Sequence, residues 1–241
     1  MKAINIPANV SVVLDRLEFA GFEAYIVGGC VRDAVMSRTP KDYDVCTSAL
    51  PHQVLNTFRD SHVIETGLQH GTVTVMSDNE PIEVTTYRTD GAYSDSRHPD
   101  KVEFVSSLTE DLKRRDFTMN AMAYHPQKGL VDPFGGQEDI AKGILKCVGN
   151  PQERFTEDAL RILRALRFAS RFQFKIHEDT SFAILEMAER LDNISKERIS
   201  SELIQLLMGD GVTQLLLDYK GVIAVFIPEI KPCFGFDQKS Q

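Results

Sequence analysis

The chain has 241 residues, enough for one large domain or two small ones, and its 42% hydrophobic and 26% charged residues are ordinary for a globular protein. Its net charge of −8 disfavours a polyanionic partner, but five arginines from Arg154 to Arg171 form a local basic cluster that can still bind phosphates. No apolar run is long enough to cross a bilayer, and four scattered cysteines without a CxxC pair argue against a zinc site or a disulfide framework and indicate a reducing cytoplasm.

Helical patterns occur three times in the first sixty residues. Apolar spacing predicts a helix over residues 9–20, and Gly21 is a natural stop for it. A second helix is expected over residues 30–38, directly after two adjacent glycines. Pro51 is expected to open a third helix, because proline is well tolerated in the first helical turn.

Strand patterns surround these helices. Short apolar runs and period-two alternation predict strands over residues 24–27, 42–47, 71–77, 82–88 and 101–105. A hairpin connection is expected at residues 78–81, and a polar, mobile loop at residues 89–100.

The pattern changes in the second part of the chain. Strand signals stop by residue 150, and residues 153–209 have a nearly continuous helical pattern, with Leu160 and Leu163 on one side. The predicted fold class is therefore α/β followed by all-α. We expect a head domain over residues 1–145 and a helical neck domain over residues 146–241.

Two aspartates and one glutamate are the candidate metal ligands and catalytic acids. Residues i and i+2 of a strand point to one face, so Asp42 and Asp44 are expected to project together while Tyr43 and Val45 face the core. Close carboxylates repel unless a cation lies between them, and oxygen ligands suit Mg²⁺. Glu83, inside an apolar strand, completes a three-carboxylate site if that strand lies alongside.

The glycine pair at the turn after residues 24–27 is a candidate phosphate site. Gly28 and Gly29 lack the spacing of a P-loop or a dinucleotide fold. Backbone N–H groups at a strand-to-helix turn can still converge on a phosphate, and Arg32 would add positive charge to the same anion. Taken alone, a glycine pair is more often a tight turn.

Five motifs follow one another in a recognisable order. They are "VGGCVRD" with "KDYDV", "LKRRDFTMNAMAY", "DPFGG", "EDALRILRALRF" and "KERIS". The set resembles the class II tRNA nucleotidyltransferases, the family of CCA-adding enzymes and bacterial poly(A) polymerases. The resemblance runs from about residue 20 to the end of the chain. It implies a polymerase-β-like nucleotidyltransferase head followed by a helical, RNA-binding neck, with Mg²⁺ as cofactor and CTP, ATP and the tRNA 3′ end as substrates.

The resemblance also implies roles for single residues. Asp42 and Asp44 correspond to metal ligands and Glu83 to the third catalytic carboxylate. The nucleotide-binding residues that it implies are Gly28, Gly29, Arg32, Arg115, Asp116, Asp158, Arg161, Arg164 and Arg167. Among them, Asp116 is suited to accept a hydrogen bond from a ribose 2′-hydroxyl.

The pair Asp158 and Arg161 is expected to read the base. Cytosine and adenine both present an amino donor beside an acceptor nitrogen, which an aspartate and an arginine can match, whereas uracil and guanine present the reverse pattern. The two residues are predicted to lie at i and i+3 on one helix face, with Glu157 supporting Arg161. A solvated helix with intrahelical ion pairs is the plainer interpretation of this motif alone.

Several alternatives stay open within and beyond the family. Residues 65–75 resemble the CCA-adding side more than the poly(A) polymerases, and residues 87–107 resemble a full-length loop, as needed for the switch from C to A. An enzyme that adds only the terminal A has the same motifs. A non-catalytic RNA-binding module is the contrasting class, and the three carboxylates argue against it. The last residues resemble a junction to further helical domains, so the chain is expected to be part of a longer protein.

Overall fold

The computed structural model describes residues 4–91 and 102–236. These residues divide into a head unit, formed by residues 4–91, 102–142 and 146–149, and a helical unit, formed by residues 143–145 and 150–236. Residues 92–101 lie outside the described residues. They include most of the loop predicted at residues 89–100 and the middle of residues 87–107, which resemble a full-length family loop. The predicted boundary between residues 145 and 146 stays a prediction.

The head unit is built on a mixed sheet and a separate two-stranded ribbon. The strands are β1 (Ala24–Val27), β2 (Asp44–Thr47), β3 (Val63–Ile64), β4 (Thr72–Ser77), β5 (Glu80–Thr86), β6 (Arg88–Asp90), β7 (Val102–Phe104), β8 (Ala123–His125) and β9 (Gly129–Val131). The strand order in the sheet is β3-β4-β5-β2-β1-β8-β9, in which β2 and β5 are parallel and the other neighbours are antiparallel. The ribbon pairs β6 with β7. The helices are α1 (Ala8–Phe19), α2 (Gly29–Val35), α3 (Pro51–Thr57), α4 (Leu108–Lys113) and α5 (Gly136–Lys142).

Both faces of the sheet are buried around β1. Ala24 and Ile26 join the core that includes α1, while Tyr25 and Val27 pack in a second core that contains Leu112 of α4. Side chains alternate between the two faces of a strand, so a central strand with cores on both sides must be apolar throughout. In β1 no polar side chain other than the Tyr25 hydroxyl is present, so the carboxylates lie on the neighbouring strands of the sheet.

The predicted hairpin between β4 and β5 is confirmed, with a shorter turn than expected. Asp78 and Asn79 alone form the connection, and both have positive φ angles of 51° and 63°. Asparagine and aspartate tolerate this conformation better than other residues with a side chain, and it matches the twist of a tight hairpin. Glu80 and Pro81, predicted in the turn, pair with β4 instead.

Two predicted loop residues belong to a strand. Thr89 and Asp90 lie in β6 and pair with Glu103 and Val102 of β7. The prediction of a loop from residue 89 is therefore wrong at its start. Polar composition suggested a loop, but backbone pairing with β7 provides hydrogen bonds that composition does not reveal.

The helical unit consists mainly of short helices. They are α6 (Pro151–Glu157), α7 (Leu160–Phe172), α8 (Glu178–Glu186), α9 (Lys196–Leu207), α10 (Val212–Asp218) and α11 (Lys220–Phe226). The expectation that strand signals stop by residue 150 is wrong, because β11 (Lys175–Ile176) follows α7 and pairs in parallel with β10 (Ile144–Leu145). Helices α7 and α9 pack together in this unit. In residues 4–91 and 102–236, no helix has the length and apolar character needed to cross a membrane.

Candidate functional site

Asp44 and Glu83 lie side by side in the head unit. They are register partners on the parallel strands β2 and β5, whose neighbouring backbones are about 4.8 Å apart. The next residues of the two strands, Val45 and Val84, are fully buried on the other face. The two carboxylates therefore project to one face, and the condition set for the three-carboxylate site, that the strand of Glu83 lies alongside that of Asp44, is met.

The electrostatic surroundings of Asp44 are unfavourable for its own charge. Asp44 keeps exposed surface, but surrounding protein atoms displace water from its carboxylate and raise the pKa of Asp44 above its ordinary value. The negative charges of Glu83 and Asp42 raise this pKa further, against the lowering effect of Arg115. A group of like charges that disfavours its own ionisation is stabilised by a cation. The arrangement thus favours cation binding at Asp44.

Asp42 is not in the strand that was predicted for it. Strand β2 begins at Asp44, so Asp42 lies in the preceding loop, although both aspartates are exposed. Tyr43 packs against the core and Val45 is buried, as expected. The prediction that the strand includes Asp42 is therefore wrong. The predicted alternation of exposed aspartates with core-facing Tyr43 and Val45 is present, and the charges of the two aspartates interact.

The three acidic side chains are of the type that magnesium binds. Asp44, Glu83 and Asp42 supply carboxylate oxygens, the hard ligands that Mg²⁺ accepts together with water and phosphate. Across the described ranges 4–91 and 102–236, no group of three or more His, Cys, Asp or Glu is arranged to hold a metal ion. The chemistry of the side chains fits the ion, and the complete three-carboxylate site stays a prediction.

The glycine turn after β1 brings the backbone close to an arginine. Gly28 has a φ of 77°, and a side-chain Cβ at this residue would lie 3.0 Å from Nη1 of Arg115. Gly29 then begins α2. Glycine is favoured at position 28 because the backbone there has a positive φ and because Arg115 leaves little room for a side chain. The turn and Arg115 together form a region where an anion can approach backbone N–H groups and a guanidinium group.

A buried aspartate holds Arg115 in this region. Asp111 has no exposed surface, and its Oδ2 accepts a hydrogen bond from Nη2 of Arg115 at 3.1 Å while its Oδ1 accepts one from Nη2 of Arg114 at 2.9 Å. Burial alone would raise the pKa of Asp111, but the charges of Arg115 and Arg114 outweigh it and hold the pKa below its ordinary value. Asp111 therefore stays ionised at neutral pH and fixes both arginines.

Arg32 and Asp116 are connected through Asn120. Nη1 of Arg32 donates to Oδ1 of Asn120 at 2.8 Å, and Nδ2 of Asn120 donates to Oδ1 of Asp116 at 3.0 Å. Asp33 accepts from the same guanidinium at 2.8 Å. Arg32, Asp116 and Asn120 are each less than 9% exposed. Arg32 and Asp116, which were both predicted at the nucleotide, are thus connected next to the glycine turn at Gly28.

In the helical unit, Asp158 does not share a helix with Arg161. Asp158 lies between α6 and α7 with an extended backbone (φ −144°, ψ 105°), and its Oδ1 accepts from the backbone N–H of Leu160 at 3.0 Å. The prediction of one continuous helix face is therefore wrong. Aspartate favours such helix starts because its side chain satisfies an N–H group that the helix leaves unpaired.

Ion pairs fix both members of this predicted base-reading pair. Oδ2 of Asp158 accepts from Nη2 of Arg198, a residue of the "KERIS" motif, at 2.9 Å. Glu157 contacts Arg161 at 2.5 Å through Oε2, as predicted, and Arg154 at 2.5 Å through Oε1. The carboxylates and guanidinium groups are therefore held in defined orientations.

Arg164 and Arg167 share a carboxylate on α9. Nε of Arg167 donates to Oε2 of Glu202 at 2.5 Å, and Nη1 of Arg164 lies 3.7 Å from Oε1 of the same residue. Arg167 is only 6% exposed and also stacks on the ring of Phe168. The contacts of Arg167 serve the packing of α7 on α9, and a role of either arginine at a nucleotide stays a prediction.

Sequence reasoning did not single out the residues that orient these groups. They are Asp111, Asn120, Arg198 and Glu202. Asp111 and Asn120 each lie four residues from one partner, Arg115 and Asp116 respectively, which is a local signal. The contact of Asn120 with Arg32 and the contacts of Arg198 and Glu202 span 35 to 88 positions in the chain, so only the folded structure identifies them.

Comparison with known proteins places the chain in a family. Residues 24–146 match the family model described as the poly A polymerase head domain, and residues 173–234 match one described as a probable RNA and SrmB-binding site of polymerase A. The chain therefore belongs to the poly A polymerase head-domain family, as its motifs indicated. The predicted fold class, a nucleotidyltransferase head followed by a helical region, is confirmed as well.

Several relatives carry more specific names. The chain is 49% identical over 207 residues to a CCA-adding enzyme of Lactobacillus delbrueckii subsp. bulgaricus, covering 86% of this chain and 52% of that protein. It is 46% identical to a CCA-adding enzyme of Listeria monocytogenes, covering 95% and 56%. The crystal structure of the Bacillus stearothermophilus CCA-adding enzyme in complex with CTP is 42% identical, with a TM-score of 0.79 over 88% of this chain and 51% of that one. The chain thus spans about half the length of these relatives.

Proposed function

We propose that this chain is a tRNA nucleotidyltransferase that adds CCA to the tRNA 3′ end from CTP and ATP without a nucleic-acid template. The observation that carries the proposal is the side-by-side placement of Asp44 and Glu83, where the charges of Glu83 and Asp42 help to raise the pKa of Asp44. Such a site suits metal-dependent phosphoryl transfer. The names of relatives at 46 to 49% identity support the choice of substrate.

The proposed cofactor is Mg²⁺, held by Asp42 and Asp44, with Glu83 as the third catalytic carboxylate. When bound, such an ion stabilises the negative charge that develops at a reacting phosphate. The protein's own contribution is to hold the acids on the rigid strands β2 and β5. Their mutual repulsion without a cation makes ion binding favourable.

In the proposed reaction, the tRNA 3′-hydroxyl attacks the α-phosphate of CTP or ATP. A bond forms between the 3′-oxygen and the α-phosphorus, and the bond between the α-phosphorus and the oxygen that bridges to the β-phosphorus breaks, which releases pyrophosphate. The proton of the 3′-hydroxyl is released to water. Gly28, Gly29, Arg32 and Arg115 contact the triphosphate in this proposal. Asp116 accepts a hydrogen bond from the 2′-hydroxyl, which distinguishes RNA precursors from deoxynucleotides.

Base choice is assigned to the helical unit. Asp158 accepts from the amino group of cytosine or adenine and Arg161 donates to the neighbouring ring nitrogen, with Arg164 and Arg167 completing the nucleotide pocket. The ion pairs of Asp158 with Arg198 and of Arg161 with Glu157 support this role, because they hold both groups in fixed orientations. We further propose that residues 146–241 form the tRNA-binding neck, and that the protein acts in the cytoplasm.

Sequencing of product 3′ ends tests the proposed function. The full chain is incubated with tRNA that lacks its terminal CCA, and separately with tRNA that ends in CC, together with all four nucleoside triphosphates and MgCl₂. Asp44→Asn is the matched control. The proposal expects CCA ends with the unaltered chain and no addition with the variant. Addition only to the tRNA ending in CC, long A tails, or RNA binding without any addition would each contradict it, and would favour an A-adding enzyme, a poly(A) polymerase or a non-catalytic module respectively.

A further inference from the structure

Asn120 makes two side-chain hydrogen bonds of opposite sense. Its Oδ1 accepts from Nη1 of Arg32 at 2.8 Å, and its Nδ2 donates to Oδ1 of Asp116 at 3.0 Å. Only asparagine and glutamine carry both a carbonyl acceptor and an amide donor on one short side chain. With 8% of its surface exposed, Asn120 lies where an unsatisfied polar group would be costly.

The two residues that Asn120 connects are each anchored at a second point. Nε and Nη2 of Arg32 contact Oδ1 of Asp33, both at 2.8 Å. Oδ1 of Asp116 also accepts from the backbone N–H of Phe117 at 2.8 Å. Both anchors are local in the chain, whereas the contact of Asn120 with Arg32 joins residues 88 positions apart. Asn120 is therefore a side-chain link between α2 and the segment that carries Asp116.

We propose that Asn120 is a positioning residue that orients Asp116 toward the ribose 2′-hydroxyl and Arg32 toward the triphosphate of one bound nucleotide. This inference rests on the proposed function. Its physical basis is that Nδ2 of Asn120 removes the rotational freedom of the Asp116 carboxylate, so that this group meets a 2′-hydroxyl without a reorganisation cost. Asn120 itself is not expected to touch the nucleotide.

Asn120→Asp keeps the hydrogen bond with Arg32 and removes the one with Asp116, with almost no change of side-chain volume. The new carboxylate still accepts from Arg32, but it presents an acceptor to Asp116 instead of a donor. Asn120→Ala removes both bonds without adding a charge and serves as the second variant if the first fails to fold. Asn79→Asp, the same substitution at the exposed hairpin turn of the same unit, is the matched control, since aspartate tolerates that turn as well.

The test measures the binding of CTP and dCTP to the full chain, and the ratio of their kcat/KM values for addition to tRNA lacking CCA. We expect the preference for CTP over dCTP to fall about tenfold in both Asn120 variants, because a hydrogen bond to a charged group is lost, and to stay unchanged in Asn79→Asp. Circular dichroism and thermal unfolding confirm that each variant is folded.

Two outcomes would overturn the inference. A folded Asn120 variant that keeps the full preference for CTP over dCTP would do so, even if its affinity for both nucleotides falls equally, because the preference is what reports on Asp116. An unaltered chain that binds CTP and dCTP equally would also exclude it. The proposed function is judged separately, by whether the unaltered chain adds CTP to tRNA at all, so the two failures are distinguishable.

Discussion

In the head unit, Asp44 lies beside Glu83 and near Asp42, and these like charges help to raise its pKa. In the helical unit, carboxylates are matched with arginines: Glu157 bridges two of them, and Asp158 and Glu202 contact others. The first group has unbalanced negative charge and the second is internally neutralised to a large extent. The same residue types are therefore used for opposite purposes.

The difference in charge balance between the two units determines which kind of ligand each unit can bind favourably. An unbalanced acidic group gains strongly from a divalent cation, since the cation removes a repulsion that the fold maintains. A matched network gains little from added ions, but it fixes the directions of its hydrogen-bonding groups, as a site for recognising a base requires. The head unit suits chemistry on a charged substrate, and the helical unit suits selection by shape and hydrogen bonds.

The largest effect is expected at Asp44. Asp44→Asn should lower the rate of nucleotide addition about a thousandfold or more, because removing the charge at a metal-dependent site costs several kcal/mol of transition-state stabilisation. The same variant should be more stable than the unaltered chain in metal-free buffer. A pKa raised in the folded state means that ionised Asp44 destabilises the fold at neutral pH, and asparagine carries no charge.

The predicted stability difference between Asp44→Asn and the unaltered chain can be checked through its dependence on pH. The gain in the free energy of unfolding should be present at neutral pH and should vanish as the pH falls below the ordinary value of 3.8, where Asp44 is protonated in both the folded and unfolded states. Urea unfolding at several pH values measures it. A variant that is less stable at pH 7 would contradict the unfavourable charge at Asp44.

The matched network predicts the reverse behaviour at Glu202. Glu202→Ala should lower the free energy of unfolding by about 3 to 5 kcal/mol, because the buried guanidinium of Arg167 loses its carboxylate partner. Glu186→Ala, an exposed acid at the end of α8, should change it by less than about 0.5 kcal/mol. Equal losses in the two variants, measured by urea unfolding, would show that the Glu202 contact adds nothing.

A smaller effect is expected for base choice at Arg161. Arg161→Ala should reduce the preference for CTP over UTP about 10- to 100-fold, the value of one well-placed base contact. Arg171→Ala, the same substitution at an exposed residue of α7, should leave the preference unchanged. Competition between the two nucleotides in the addition assay gives the ratio. An unaltered preference in Arg161→Ala would contradict base recognition by this residue.

The parts of the fold that sequence predicted have strong local patterns. Helix α1 and the β4–β5 hairpin follow from apolar spacing and alternation over six to twelve residues. Strands β8 and β9 were not predicted because each has only three residues and neither alternates clearly. Strand β11 was missed for the same reason, since its two residues are held by pairing with a distant segment.

The candidate site shows the same division between local and distant causes. Glu83 was identifiable because an acid inside an apolar strand stands out, but its register with Asp44 comes from the pairing of two strands that are distant in sequence. The break of the helix at Asp158 was not predicted, because the apolar spacing of residues 157–168 continues across it. Asn120 and Glu202 owe their roles to long-range contacts, which local sequence patterns cannot provide.

The proposed cation site at Asp44 is tested most directly by thermal unfolding during titration with MgCl₂, without nucleotide or RNA. The unaltered chain is compared with Asp44→Asn. A ligand that binds only the folded state raises the unfolding temperature as its concentration increases. We predict a progressive rise for the unaltered chain and none for Asp44→Asn. The same rise in both proteins, or no rise in the unaltered chain, would contradict the proposed cation site at Asp44.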